Sequence, residues 1–318
     1  MRRLEEFVNE KLKVGGGIKN AIYHPTSKEE LVNFMIKEIE TNGPDCSLNH
    51  INVSNVNDMS YLFRGGIPNQ YQDNHPVLSG FDGDISGWDV SNVTNMGFMF
   101  DNCKYTGKNG DISDWDVSNV TNMNGMFSRS KYNGDISDWD VSNVTTMSFL
   151  FYYSEFTGNN GDISNWDVSN VTDMSFMFME SKYNGDISNW DVSSVTNTGS
   201  MFYGAKFNGD LSKWDVSNVT SMFRMFRTSK FTGEHGDISN WNVSNVTNME
   251  EMFFHCKFNG DLSKWDVSRV RNFDKMFEYS DFNGDISKWQ INPIAKRNMD
   301  NMFRNSPLEN TPPVWYHK

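Results

Sequence analysis

A chain of 318 residues with a formal net charge of −13 lacks the basic face that phosphate binding requires, so nucleic acid is not an expected partner. No run of about 18 apolar residues occurs, which leaves no predicted membrane span. The three cysteines have no metal-ligand spacing, and no cofactor motif stands out.

In chain order, residues 1–17 read as an amphipathic leader, with Leu4, Phe7, Val8 and Leu12 on one face and Gly15, Gly16 and Gly17 as a linker. Arg2 and Arg3 precede Glu5 and Glu6, which interrupt what would be the apolar core of a signal peptide, so export is not expected. Residues 18–44 form a predicted N-terminal capping region. Ser27 and Glu30 make a capping-box pattern, Leu31, Phe34, Met35 and Ile39 share a helical face, and Gly43 with Pro44 ends the segment.

Residues 45–318 are a repeat. Nine tryptophans, Trp88, Trp115, Trp139, Trp166, Trp190, Trp214, Trp241, Trp265 and Trp289, follow one another at intervals of 24 or 27 residues. Such a unit cannot bury its own apolar face and must stack on neighbours. With Trp as position zero, apolar residues recur at −3, +2, +5, +8, +11 and +12, a small residue at +15 and an aromatic at +17; Trp139 is flanked in this way by Ile136, Val141, Val144, Met147, Leu150, Phe151, Ser154 and Phe156. Ile51 takes the Trp position in a leading unit, which makes ten coils, and an excursion over residues 64–80 separates the first two. Residues 304–318 close the series as a half coil, with Leu308 and Trp315 restoring the usual spacing of seven. At a strand-like step of about 4.8 Å, ten coils give a body of roughly 50 Å.

The inward positions +8, +11, +12 and +15 have the spacing of one helical face, so each coil is expected to carry a short helix or 3₁₀ turn opposite a short strand at −1 to +2. The fold class expected is α/β, a leucine-rich-repeat-like solenoid of about ten coils with an N-terminal capping helix.

Whole units resemble the leucine-rich-repeat surface proteins of the BspA type, and more closely their Asn- and Trp-containing branch seen in mycoplasma lipoproteins and in many gut bacteria. Gly134-Asp135-Ile136-Ser137, Trp139 through Val144, and Met147 to Phe151 carry the likeness. It implies a non-enzymatic protein-interaction or adhesion module at a bacterial surface, although no export signal or anchor is legible. A shorter likeness, over Leu4 to Glu10, is to leaders of proteins from phages of gut Bacteroides, which implies virion or infected-cell residence.

Several columns are candidates for chemistry. Asp recurs at −4 (Asp84 through Asp285) and at +1 (Asp89 through Asp266), and carboxylates about 4.8 Å apart repel by about 0.9 kcal/mol even in water. Either they accept N–H bonds in their own turns or they bind calcium. The Trp column is expected in the core; used as a sugar-stacking face it would, with the Asp columns, make a binder of glycan or calcium ions. Thr at +6 (Thr94 through Thr247) is expected to cap the start of each helix. Cys103 and Cys256 share the small +15 position and lie too many coils apart to be bridged.

The positions that break the regularity are +10, +13 and +14, expected on the outward side of each helix. They hold Tyr61, Phe98, Phe149, Tyr152, Tyr153, Phe176, Tyr203 and Phe254, the candidate contact residues for a protein partner or a second copy of the chain. The six histidines share no column and no nucleophile stands in a catalytic constellation, so no enzymatic activity is expected.

Overall fold

The computed structural model describes residues 23–66 and 75–316, and the leader over residues 1–17 lies outside them. Helix α1 spans Lys28–Asn42. The Ser27 side chain accepts the Glu30 N–H at its start, and Gly43, with φ of +89°, ends it. Its buried face, Leu31, Phe34, Met35 and Ile39, joins the same apolar core as Leu48 and Ile51 of the leading unit. The short helix α2, Pro76–Ser79, lies within the 64–80 excursion, and three 3₁₀ turns, Ala295–Arg297, Pro307–Glu309 and Val314–Tyr316, lie at the far end.

Between these elements the units pair in a way that the side-chain periodicity does not reveal. Neither the expected helix at +8 to +15 nor the expected strand at −1 to +2 is found among the described residues; pairing consists of isolated parallel bridges, most of them at +7, from Asp58↔Asn95 through Asn248↔Asn272, with Tyr23↔Ile51 and Ser47↔Asp84 at the leading unit. The amides of the segment from +8 to +14 nonetheless have destinations. In the Trp88 unit, the N–H groups of Met96, Phe98, Phe100 and Asn102 donate to carbonyls of the next unit, those of Asn122, Asn124, Met126 and Ser128. Met99 and Asp101 donate back to Met96 and Phe98 in their own unit, and the Gly97 N–H goes to the Asn95 side chain. Alternate amides therefore tie one unit to the next, while the others close tight turns.

A helix would send all of these amides to carbonyls four residues back; here the Asn or Asp at +7 captures the +9 N–H and offers the chain another path. Met99 N–H to Met96 C=O closes a turn whose third residue, Phe98, has φ of +55°. With allowance for the insertion before Met299, every described non-glycine residue with positive φ falls at +10 or +14, and Gly125 and Gly204 complete those columns. Left-handed backbone costs an L-residue roughly 1–2 kcal/mol, so the inter-unit bonds and the burial behind them must offset two such residues per unit.

The inward columns are buried throughout: Met at +8, replaced by Thr198 and Phe273 in two units, Met or Leu at +11, Phe at +12, and the aromatic at +17. The +12 rings form a continuous offset stack from Phe63 to Phe303, with Phe100–Phe127 at 5.7 Å and 5° as a typical step. Each tryptophan adds a specific bond, its indole N–H donating to the −3 carbonyl of the preceding unit, as Trp139 does to Ile112 at 3.1 Å. Trp315 does the same to Ile286 at 2.9 Å and so serves as a further member of the column. Ile51, which has no donor to offer, is buried at the same position of the leading unit.

The corner before each Trp explains one glycine. A Cβ on Gly134 would lie 2.5 Å from the Tyr132 hydroxyl, so the short Asn-Gly-Asp corner has no room for another residue type. Cys103 and Cys256 are buried and free, and burial pushes the Cys103 thiol up to about 12.

Candidate interaction site

The regular columns are occupied with their own structure. The tryptophans are only 3–4% exposed from Trp88 to Trp289, in the core as expected, and their faces are not open to a sugar as the alternative required. Asp at −4 and at +1 accepts the backbone N–H two residues later, as Asp135 does from Ser137 at 2.9 Å and Asp89 from Ser91 at 3.1 Å. The Ser91 hydroxyl also donates to Asp89, at 2.6 Å, and these two bonds hold that carboxyl below the usual range; Asp140, Asp191 and Asp266 are lowered by the same pair of donors. Among the described residues no group of three or more His, Cys, Asp or Glu is placed to hold a metal ion. Thr at +6 caps no helix. Its hydroxyl donates to the carbonyl of the preceding +6 residue, as Thr145 does to Thr121 at 3.2 Å.

The irregular positions assemble differently. Without a helix, +10 and +14 do not project freely; their left-handed backbone lays the side chains along the neighbouring unit. Phe98 covers Gly125, where a Cβ would come within 2.3 Å of the ring. Tyr61, Phe98, Phe149, Tyr152, Phe176, Tyr203 and Phe254 are therefore half-buried, and Tyr153, 48% exposed, stands out. Tyr279 at +14, 45% exposed, belongs with it.

These rings form three clusters. Tyr61 stacks on Phe98 at 5.4 Å. Phe149 stacks on Phe176 at 4.5 Å, with Tyr152 edge-on to both Phe149 and Tyr153. Tyr203 and Phe254 lie under opposite reaches of one guanidinium, Arg227, at 5.4 and 4.2 Å.

Arginines join the rings to buried carboxylates, a feature the sequence reading missed. Arg64 lies over Tyr61 and Phe98 while its Nε donates to Asp101 at 2.9 Å. Arg129 lies over Tyr152 and reaches the same Asp101, whose side chain is 1% exposed, at 3.4 Å. Arg224 and Arg227 both hold the buried Glu251. The available signal was opposite charges in neighbouring units at the otherwise apolar or small +10, +13 and +14 positions. The result is a half-buried aromatic stripe stiffened by cation–π contacts and paired charges, with tyrosines standing above it.

The family described as "Mycoplasma protein of unknown function, DUF285" matches residues 30–104, 69–160, 153–237 and 231–315. The chain belongs to that family. The four overlapping matches run through nearly the whole of the described chain, so this is a repeat protein of a mycoplasma-type repeat family. Comparison with curated proteins and with solved structures returned no match. No helix of the described residues is long and apolar enough to cross a membrane.

Proposed function

We propose that the chain is a non-enzymatic protein-interaction or adhesion module of the BspA-like kind, its units wound into a single leucine-rich-repeat-like solenoid. The observation that carries this reading is the cluster of Phe149, Tyr152, Tyr153 and Phe176, in which two stacked rings support an exposed tyrosine beside Arg129. Tyr, Phe and Arg are the side chains enriched at interface cores, and a prepacked cluster loses little rotamer freedom on binding. The regular Asp and Trp columns serve the fold, which leaves the irregular stripe as the surface that distinguishes one unit from another. A protein partner or a second copy of the chain suits such a variable face, whereas a uniform face would suit a repetitive ligand.

A photo-reactive phenylalanine analogue at position 153 tests the reading. Cross-linking to one defined protein, or to a second copy, from position 153 but not from Thr145 on the Thr column is the expected result. Equal labelling from both positions, or none from 153, would rule the stripe out.

A further inference from the structure

In one unit the Asn and Thr columns both become cationic. Asn at +4 and Thr at +6 flank the buried Val at +5 and face outward together. Each Asn amide donates to the +3 carbonyl of the preceding unit, as Asn218 does to Ser193 at 2.7 Å and Asn245 to Ser217 at 2.7 Å. In the Trp265 unit both outward positions become arginine, Arg269 and Arg271. An open depression of about 540 Å³ lies there, lined by Asn218, Thr220, Asn245 and Thr247 on one side of the two arginines and by Asn292 on the other. In a chain of net charge −13, no carboxylate and no aromatic side chain is among its lining residues.

The arginines are placed for different tasks. Arg269 Nη1 donates to Asn245 Oδ1 at 2.7 Å, which orients its guanidinium along the column, and Asp266 of the same unit is its near counter-charge. The Arg271 backbone continues the Thr ladder, its N–H donating to the Thr247 carbonyl at 2.9 Å, while its exposed guanidinium makes no bond to any described residue. Guanidinium groups bind carboxylates through paired parallel bonds. Beyond them lie hydroxyl and amide groups repeated at the step between units.

We propose that this depression binds a carboxylate-bearing oligosaccharide, a chain of hexuronate sugars, lying along the columns with one carboxylate on Arg271. The step between units, about 4.8 Å for strand-like pairing, is close to the advance of an extended pyranose chain per sugar, so successive sugars meet successive Asn and Thr pairs. A nucleic acid would want aromatic platforms for its bases, and the lining supplies none. The site is separate from the aromatic stripe and stands whether or not that stripe binds protein.

Titration calorimetry of the full chain with tetragalacturonate tests it, with maltotetraose and tetraglutamate as comparisons. Expected are binding of tetragalacturonate that weakens with added salt, no binding of maltotetraose, and weaker binding of tetraglutamate. Arg271→Gln should lower affinity at least tenfold and Arg269→Gln with Arg271→Gln should abolish binding, with the melting temperature unchanged because both side chains are exposed. Tyr153→Ser should bind as the native chain does. Absence of tetragalacturonate binding, unchanged affinity in the double variant, or tetraglutamate binding as tightly as the sugar would each overturn the proposal, the last in favour of an unselective anion site.

Discussion

The indole N–H of Trp190 donates to the backbone carbonyl of Ile163, a residue of the preceding unit, at 3.0 Å. The same ring is buried against Phe178. Tryptophan at this position thus supplies apolar area and a donor at once, which neither Phe nor Ile can do. Trp190→Ala should destabilise by about 3–5 kcal/mol through the cavity it leaves. Trp190→Phe keeps most of the ring and leaves the Ile163 carbonyl its second donor, the Trp166 N–H at 3.2 Å, so it should cost only about 0.5–1.5 kcal/mol. Chemical denaturation of the two variants separates the effects; an undiminished stability of Trp190→Phe would mean that the hydrogen bond contributes nothing.

Left-handed backbone at +10 and +14 makes an opposite pair of expectations. Thr228, a β-branched residue, sits at φ of +52°, and Thr228→Gly should raise stability by about 1 kcal/mol. Gly125 sits at φ of +57° beneath the Phe98 ring, so Gly125→Ala should lower stability by more than that. Thermal melts that move both variants in the same direction would contradict the turn geometry.

The inward register was legible from the sequence because spacing reports which side chains share a face. Met147, Leu150, Phe151 and Ser154 are all buried. Spacing alone does not report where the amides go. A helix and a run of turns with left-handed residues at +10 and +14 bury the same positions, and the distinguishing signs were sparse: Gly125, Gly204 and Asn102 at those positions, and Asn, Asp, Ser or Thr recurring at +7. For the same reason the candidate contact residues could be named while their state could not. Phe149 and Phe176 read as free outward rings but lie stacked and half-buried, and the Arg64–Asp101–Arg129 group depends on contacts between units that a single-unit register does not display.

The Asp columns give a pH dependence whose sign follows from their hydrogen bonds. In Asp89, Asp140, Asp191 and Asp266 the serine hydroxyl and backbone N–H lower the folded-state value. Their contribution is complete above the unfolded value of about 3.9 and is lost as pH falls through the lower folded value. The melting temperature should therefore be nearly flat from about pH 7 to 5 and fall below about pH 4. A rise on acidification would show that repulsion between carboxylates dominates.

Asn242 occupies a +1 position and accepts the same two bonds, from Ser244 N–H at 3.2 Å and its hydroxyl at 2.7 Å. Asp140→Asn should accordingly be close to neutral, whereas Asp140→Ala should cost on the order of 1 kcal/mol.

If the Asp side chains serve their own turns, millimolar calcium or a chelator should leave the melting temperature unchanged. A calcium-dependent rise of several degrees would reveal ion binding through its linkage to folding.

That each unit binds only its two neighbours is tested most directly by removing one. Deleting residues 190–213 joins Asn189 to Trp214 and leaves the register of both flanks intact. In a stack the outgoing bonds of the Trp166 unit can pass to the Trp214 unit, because stability in such an array is a sum over neighbours. The shortened chain should remain monodisperse, keep its tryptophans buried by fluorescence, and melt cooperatively at a modestly lower temperature. A deletion variant that exposes its tryptophans and loses its cooperative transition would contradict the stacked arrangement.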